Sequence, residues 1–453
     1  MQNREDDTSR LSEFLDHPKR SLWSMAVPAM LGIGLQAMYS TTDMIFIGML
    51  EGDSIAAVAF NMPLFFLVTS LCFGLGSGIT VSIAHYVGAR DKAGADNVAE
   101  HAVCLALIIS GILTFVGLTY GRSLLIKLGC PDTVLPDAWE YLKISCFGIT
   151  FLVSFIFFDA IMAGEGNMKL PVIFAGLGTV LNIALDPLFI FTLGYGVAGA
   201  AIASILSQMI VFFLFCYLLF FRHHSYTQFK MLDFFPSFAI VKKIFRVGLP
   251  AASALLVMAF GQMVFNAVLV HHSTDAVAAY QIGTRIDSVI MLPIIGIASG
   301  LTTIVSMFYG ANEFGRLRKI LRYGMSYSVG ITVVVSILLF RFADSIVGVY
   351  SSSLPITETA VVYVRYMCFM MPLVCIGLTS GRVLQGMGRG MPMLVITIVR
   401  VLLIAVPLAL YFTKILNKPV EWIWISMLVS TCIAVCVAII WLVSALRTIR
   451  IPA

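Results

Sequence analysis

Residues 22–49 read LWSMAVPAMLGIGLQAMYSTTDMIFIGM, twenty-eight positions with a single charged side chain, Asp43. A bilayer's hydrocarbon core, about 30 Å thick, is crossed by about 20 apolar residues in helical form. The stretch therefore reads as a membrane span. Period-two alternation, the mark of a barrel strand, is absent, and a helix satisfies its own backbone groups in lipid. Eleven runs of the same kind follow, near 54–87, 98–120, 138–162, 170–193, 197–221, 247–271, 276–308, 318–342, 359–385, 391–413 and 421–446. Composition agrees: 59% of residues are hydrophobic and 12% charged, with a mean hydropathy of +0.96. A water-facing surface needs about 25% charged residues. The 33 Phe and 23 Met exclude a solvated coil. The expectation is an all-α integral membrane protein of twelve transmembrane helices.

Charge supplies the orientation. The net charge of +5 is spread between apolar runs, so it marks no nucleic-acid patch. With the N-terminus inside, 19 of the 29 Lys and Arg fall in inward segments and five in outward loops (Arg122, Lys127, Arg341, Lys414 and Lys418). That bias predicts a multi-pass cell-membrane protein with both termini cytoplasmic. Residues 1–20 form one tail, without the apolar core of a cleavable signal, and 447–453 the other. The nine cysteines lie mostly inside apolar runs and lack metal spacing, so buried thiols are expected.

The loop RHHSYTQFKMLDFFPSFAIVKKIFR (222–246) is the longest inward one. It separates an N-terminal six-helix bundle, 21–221, from a C-terminal one, 247–446. The halves repeat at an offset of 222 residues. Pro28 matches Pro250, Gly78 matches Gly300, Gly88-Ala89 matches Gly310-Ala311, and Gly164-Glu165-Gly166 matches Gly386-Met387-Gly388. An even number of spans in each half relates the bundles by a pseudo-two-fold axis along the membrane normal. Rocking one bundle against the other gives alternating access, the architecture of a transporter. No filter-like motif or ring of charge suggests a channel. A monomer suffices, and no cofactor is implied.

Within a membrane an ionisable side chain is expensive and so a candidate for function. Four of the 24 carboxylates sit inside apolar runs and at least three residues from either end: Asp43, Asp159, Asp186 and Asp287. Asn182 and Asp186 are four apart and share a helix face. Pro187 removes a backbone donor and should loosen the helix beside them. Ser204, at comparable depth in the sixth span, adds a hydroxyl. Two carboxylates, an amide and a hydroxyl suit a hard cation; Asp43, Asn182 and Asp186 could ligate Na+. The same carboxylates could instead share a proton, or merely cap and bridge helices. Pro28 and Pro250 are candidate hinges. Gln36, Tyr39, Gln262, Asn266 and Arg285 are polar candidates for lining a substrate cavity. Arg285 and Asp287 are expected to neutralise one another in part or to contact neighbouring helices, and Arg382 and Arg400 read as structural.

At these residues a family resemblance emerges. The chain resembles the multidrug and toxic compound extrusion (MATE) transporters of the MOP superfamily over nearly its whole length. The cues are Asp43 followed by IFIG, then GLGSGITVSIAHYVGARD (74–91) and its echo GLTTIVSMFYGA (300–311). GEGNMKLP (164–171), NIALDP (182–187) and GVAGAAIAS (196–204) complete the set. The resemblance implies efflux of amphiphilic, often cationic compounds in exchange for Na+ or H+. In the DinF-like branch the coupling site lies in the N-terminal bundle. Its Asp, Asn, Asp and Thr correspond to Asp43, Asn182, Asp186 and Ser204, where Ser retains the hydroxyl. The NorM-like branch adds a seventh-span Glu. Here that span, ALLVMAFGQMVFNAV, offers only Gln262 and Asn266. A lipid-linked oligosaccharide flippase is the alternative, but it calls for Arg and Lys to hold pyrophosphate. A membrane enzyme would need a catalytic constellation, and none is legible.

Overall fold

The apolar runs are helical in a computed structural model, which describes residues 12–50, 54–221, 226–229, 234–351 and 353–449. Among the described residues, twelve helices are long and apolar enough to cross a membrane. In the first half they are α1 (Pro18–Gly48), α2 (Ser54–Gly88), α3 (Lys92–Lys127), α4 (Leu135–Gly164), α5 (Lys169–Thr192) and α6 (Gly196–Phe220). In the second they are α7 (Phe238–Val270), α8 (Thr274–Gly310), α9 (Phe314–Gly348), α10 (Leu354–Gly386), α11 (Met391–Ile415) and α12 (Glu421–Thr448). Polar ends extend several helices past the apolar runs, and side chains fix where they start. Asp91 accepts from the Gly94 N–H at 2.9 Å to open α3, and Ser273 accepts from the Ala276 N–H at 3.0 Å to open α8.

The 222-residue repeat is written into the backbone. Arg90 and Asn312, each with φ of 58°, make the same left-handed turn after α2 and α8. Gly166 (φ 83°) and Gly388 (φ 79°) do so after α4 and α10. Side chains repeat as well. Thr80 Oγ1 donates to the Ala160 carbonyl at 2.9 Å, and its counterpart Thr302 Oγ1 reaches the Arg382 carbonyl at 3.4 Å. The α2–α4 and α8–α10 pairs thus use one packing rule.

The chain divides into two compact units. One is Pro28–Gly248; the other joins Leu249–Ala453 to Thr8–Val27, each through its described residues. The boundary therefore cuts α1 at Pro28 and α7 just before Pro250, instead of passing through the 222–246 loop. In the first unit, a Cβ on Gly78 would collide with the Ile244 carbonyl, and one on Gly248 would lie 2.8 Å from Leu75 Cα. Only glycine lets the opening of α7 approach α2 so closely. In the second unit, the opening of α1 packs Leu22 and Met25 over Gly300. Trp23 Nε1 donates to the Tyr323 hydroxyl at 3.1 Å there.

The first unit also holds part of the segment before α7. Glu165 is 1% exposed. Its carboxylate accepts from the Tyr226 N–H, the Thr227 N–H and the Thr227 hydroxyl, at 2.9, 2.9 and 2.6 Å. Asp96 accepts from the Gln228 N–H at 2.8 Å, and Lys92 Nζ donates to the Tyr226 carbonyl at 3.0 Å.

Candidate functional site

The first unit brings together the residues expected at the ion site. Asp43 and Tyr39 lie one turn apart on α1, Asn182 and Asp186 one turn apart on α5, and Ser204 on α6. Beyond Pro187 the α5 hydrogen bonds widen to the i,i+5 register, with the Leu193 N–H reaching the Leu188 carbonyl at 2.9 Å. Such π-turns concentrate at functional sites. Gly199 presses on this turn, because a Cβ there would stand 2.6 Å from the Phe189 carbonyl oxygen. The α6 entry thereby holds the distorted end of α5 in place.

Asn182 and Asp186 are 0% exposed and Asp43 is 9%. Asn182 Nδ2 donates to Asp186 Oδ1 at 3.0 Å and reaches Ser204 Oγ at 3.4 Å. The Tyr39 hydroxyl donates to Ser204 Oγ at 2.7 Å. Three acceptor oxygens remain buried without a partner: Asp43 Oδ1, Asn182 Oδ1 and Asp186 Oδ2. Buried polar atoms are almost always satisfied, so three orphaned acceptors in one small cluster point to a positive guest. Among the described residues no three His, Cys, Asp or Glu side chains are grouped to hold a metal ion. A hard monovalent cation would instead draw on carboxylate, amide and hydroxyl oxygens together, the donor set present here.

Two participants were not singled out in the sequence. Tyr141 of α4 is buried against Ile47, Val58 and Ile190. Its hydroxyl, like that of Tyr39, lies within electrostatic range of both Asp43 and Asp186. Gln208 of α6 lies beside the Tyr39 hydroxyl. The repeat could have flagged Tyr141, because Tyr363 occupies the equivalent position in the second unit.

The other candidates disperse. Gln36 is exposed on α1, and Gln262 is exposed on α7. Asn266 Oδ1 accepts from Gln281 Nε2 at 3.1 Å. Arg285 and Asp287 do not pair with each other; Asp287 instead makes the expected alternative, a contact with a neighbouring helix. Asp287 accepts from the Tyr363 hydroxyl at 2.8 Å, whereas Arg285 is exposed. Two residues apart means about 200° around the helix. Arg382 Nη1 lies 3.4 Å from Gln385 Oε1 within α10, and its Nε is buried without a partner.

Comparison with known proteins adds a second line of evidence. The family description MatE matches residues 28–188 and again 250–411, one copy on each half of the repeat. A relative named probable multidrug resistance protein NorM, from Thermotoga maritima, is 28% identical over 416 residues, covering 90% of this chain and 89% of the relative. A protein named FAD transporter, from Shewanella oneidensis, is 27% identical over 395 residues, covering 86% and 87%. A solved structure described as MATE in the bent conformation superposes with a TM-score of 0.93 at 30% identity, covering 97% of this chain and 98% of that one.

Proposed function

The chain belongs to the MATE family of transporters, and on that premise we propose that it exports amphiphilic compounds, cationic ones among them, by antiport with H+ or Na+. One observation supports the coupling site above all: the orphaned oxygens of Asp43, Asn182 and Asp186, buried together in the first unit. A site of this kind exists loaded or empty, and its charge changes with loading. Asp43 and Asp186 would take the ion or proton, Asn182 and Ser204 would orient them, and Tyr39 would sense the change through Ser204. Loading would alter α1 and disfavour drug binding in the outward-open state. The drug leaves, and the loaded protein turns inward to release its ion. Such coupling requires a differential affinity of about 1–3 kcal/mol between two states.

Pro28 and Pro250 would serve as hinges, since each lies at or beside the point where its helix passes from one unit to the other. Both termini would face the cytoplasm, and the working form would be a monomer. Carboxylates, not a basic cluster, furnish the buried site, which favours this reading over a lipid-linked oligosaccharide flippase. The test uses protein in liposomes loaded with a fluorescent cationic dye, under a Na+ gradient at fixed pH and then a pH gradient without Na+. Dye movement driven by one gradient, and lost in Asp43→Asn, is the expected result. Movement indifferent to both gradients, or undiminished in Asp43→Asn, would refute the proposal.

A further inference from the structure

The second unit carries a polar stripe in a place where lipid would not tolerate one. Gln281, Arg285 and Ser288 are all exposed. They stand at positions i, i+4 and i+7 of α8, hence on one helix face. Arg285 is eleven residues into the helix, about 16 Å from its N-terminal end at 1.5 Å per residue. A guanidinium, an amide and a hydroxyl along one stripe at such depth face water, because hydrocarbon would penalise each of them.

The other polar groups of the stripe are already engaged. Gln281 Nε2 donates to Asn266 Oδ1 of α7 at 3.1 Å. Thr284 and Ser288 hydroxyls donate to backbone carbonyls of their own helix, each at 2.9 Å. Arg285 alone keeps its donors open: among the described residues it makes neither an ion pair nor a hydrogen bond. The neighbouring carboxylate is unavailable, since Asp287 points away and is held by the Tyr363 hydroxyl. The stripe therefore presents one uncompensated positive charge as a planar five-donor fork, the shape that grips a carboxylate or phosphate through two bonds.

We infer that the α8 face centred on Arg285 recognises an anionic group, so that the exported compounds include amphiphiles bearing a carboxylate or phosphate. The inference rests on the efflux reading and extends it to a substrate charge opposite to the family's usual one. Its test measures transport of a fluorescein-class anionic dye and of a cationic dye side by side, in phosphatidylcholine liposomes under the driving ion gradient. Wild-type protein is expected to carry both. Arg285→Gln is expected to lower the anionic-to-cationic transport ratio at least about tenfold, the scale of a lost charge-assisted contact. Arg285→Lys, which keeps the charge and loses the fork, is expected to retain an intermediate ratio. An unchanged ratio in Arg285→Gln, or wild-type protein that carries the cationic dye but neither the anionic dye nor labelled phosphatidylglycerol, overturns this inference and leaves the efflux reading intact. Wild-type protein that carries neither dye overturns both. A further arm follows labelled phosphatidylglycerol between leaflets. Lipid movement that depends on Arg285 assigns the anion to a headgroup; Arg285-dependent dye movement without it assigns the anion to a soluble compound.

Discussion

Replacing Asp186 by Asn changes the charge of the candidate ion site and almost nothing else. The side chain is fully buried, with Oδ1 engaged by Asn182 Nδ2 at 3.0 Å and Oδ2 unpartnered. Asn has the same shape, and its own carbonyl can keep accepting from Asn182. Packing and local hydrogen bonding are thus preserved, while one negative charge and one acceptor disappear. Interactions with a charged partner are worth about 1.5–3 kcal/mol, so affinity for a monovalent cation should fall about 10- to 150-fold. If the ion is a proton, the amide cannot take it and coupling should vanish. The assay is the initial rate of dye efflux from liposomes, as a function of Na+ at fixed pH and of pH without Na+. Thermal unfolding in detergent should stay close to wild type, which separates a lost site from a lost fold. Asp186→Ala makes the contrast, since it also opens a void and should lower stability by about 1–3 kcal/mol. Wild-type ion dependence in a folded, transporting Asp186→Asn protein would refute the reasoning.

Three further outcomes follow from the packing. Gly78→Ala should destabilise the protein by about 1–3 kcal/mol, because its Cβ meets the Ile244 carbonyl, whereas Gly111→Ala, with open space around it, should be neutral or slightly stabilising; thermal unfolding reads both. Glu165→Ala removes the acceptor of three hydrogen bonds and should speed amide exchange at Tyr226 and Thr227 by at least about tenfold, with the α4 core unaffected. His272, between α7 and α8, has its pKa lowered by burial first and then by the neighbouring His271, against an opposing pull from Glu421. The unfolded chain therefore binds that proton more readily, so stability should decline as pH falls through about 6.5, and His272→Gln should flatten the decline in melting temperature.

Much of this was legible because a membrane makes polarity conspicuous. Asp43, Asn182, Asp186 and Ser204 stood out in apolar runs, and they do gather in one unit. Tyr141 did not stand out, since a tyrosine in an apolar helix is indistinguishable from filler until its neighbours are known. The division of α1 and α7 was illegible for a related reason. Hydropathy reports that a helix is buried in lipid, not which helix it packs on, and the glycines at 78 and 248 reveal their purpose only once the facing backbone is in view. Adjacency in sequence left open whether Arg285 and Asp287 meet each other or neighbouring helices; a helix turns side chains two residues apart to opposite sides, and Asp287 meets Tyr363. The repeat was the most informative signal, as it recurs in the left-handed turns at Arg90 and Asn312.

The central claim is that ion and drug compete through one conformational equilibrium, and linkage makes it measurable in a single purified sample. Ion affinity should be determined by calorimetry with and without saturating transported drug, and drug affinity with and without the ion. The account predicts that each weakens the other by the same factor, about 5- to 150-fold, and that Asp186→Asn abolishes the effect. Drug and ion affinities that do not depend on one another would contradict it.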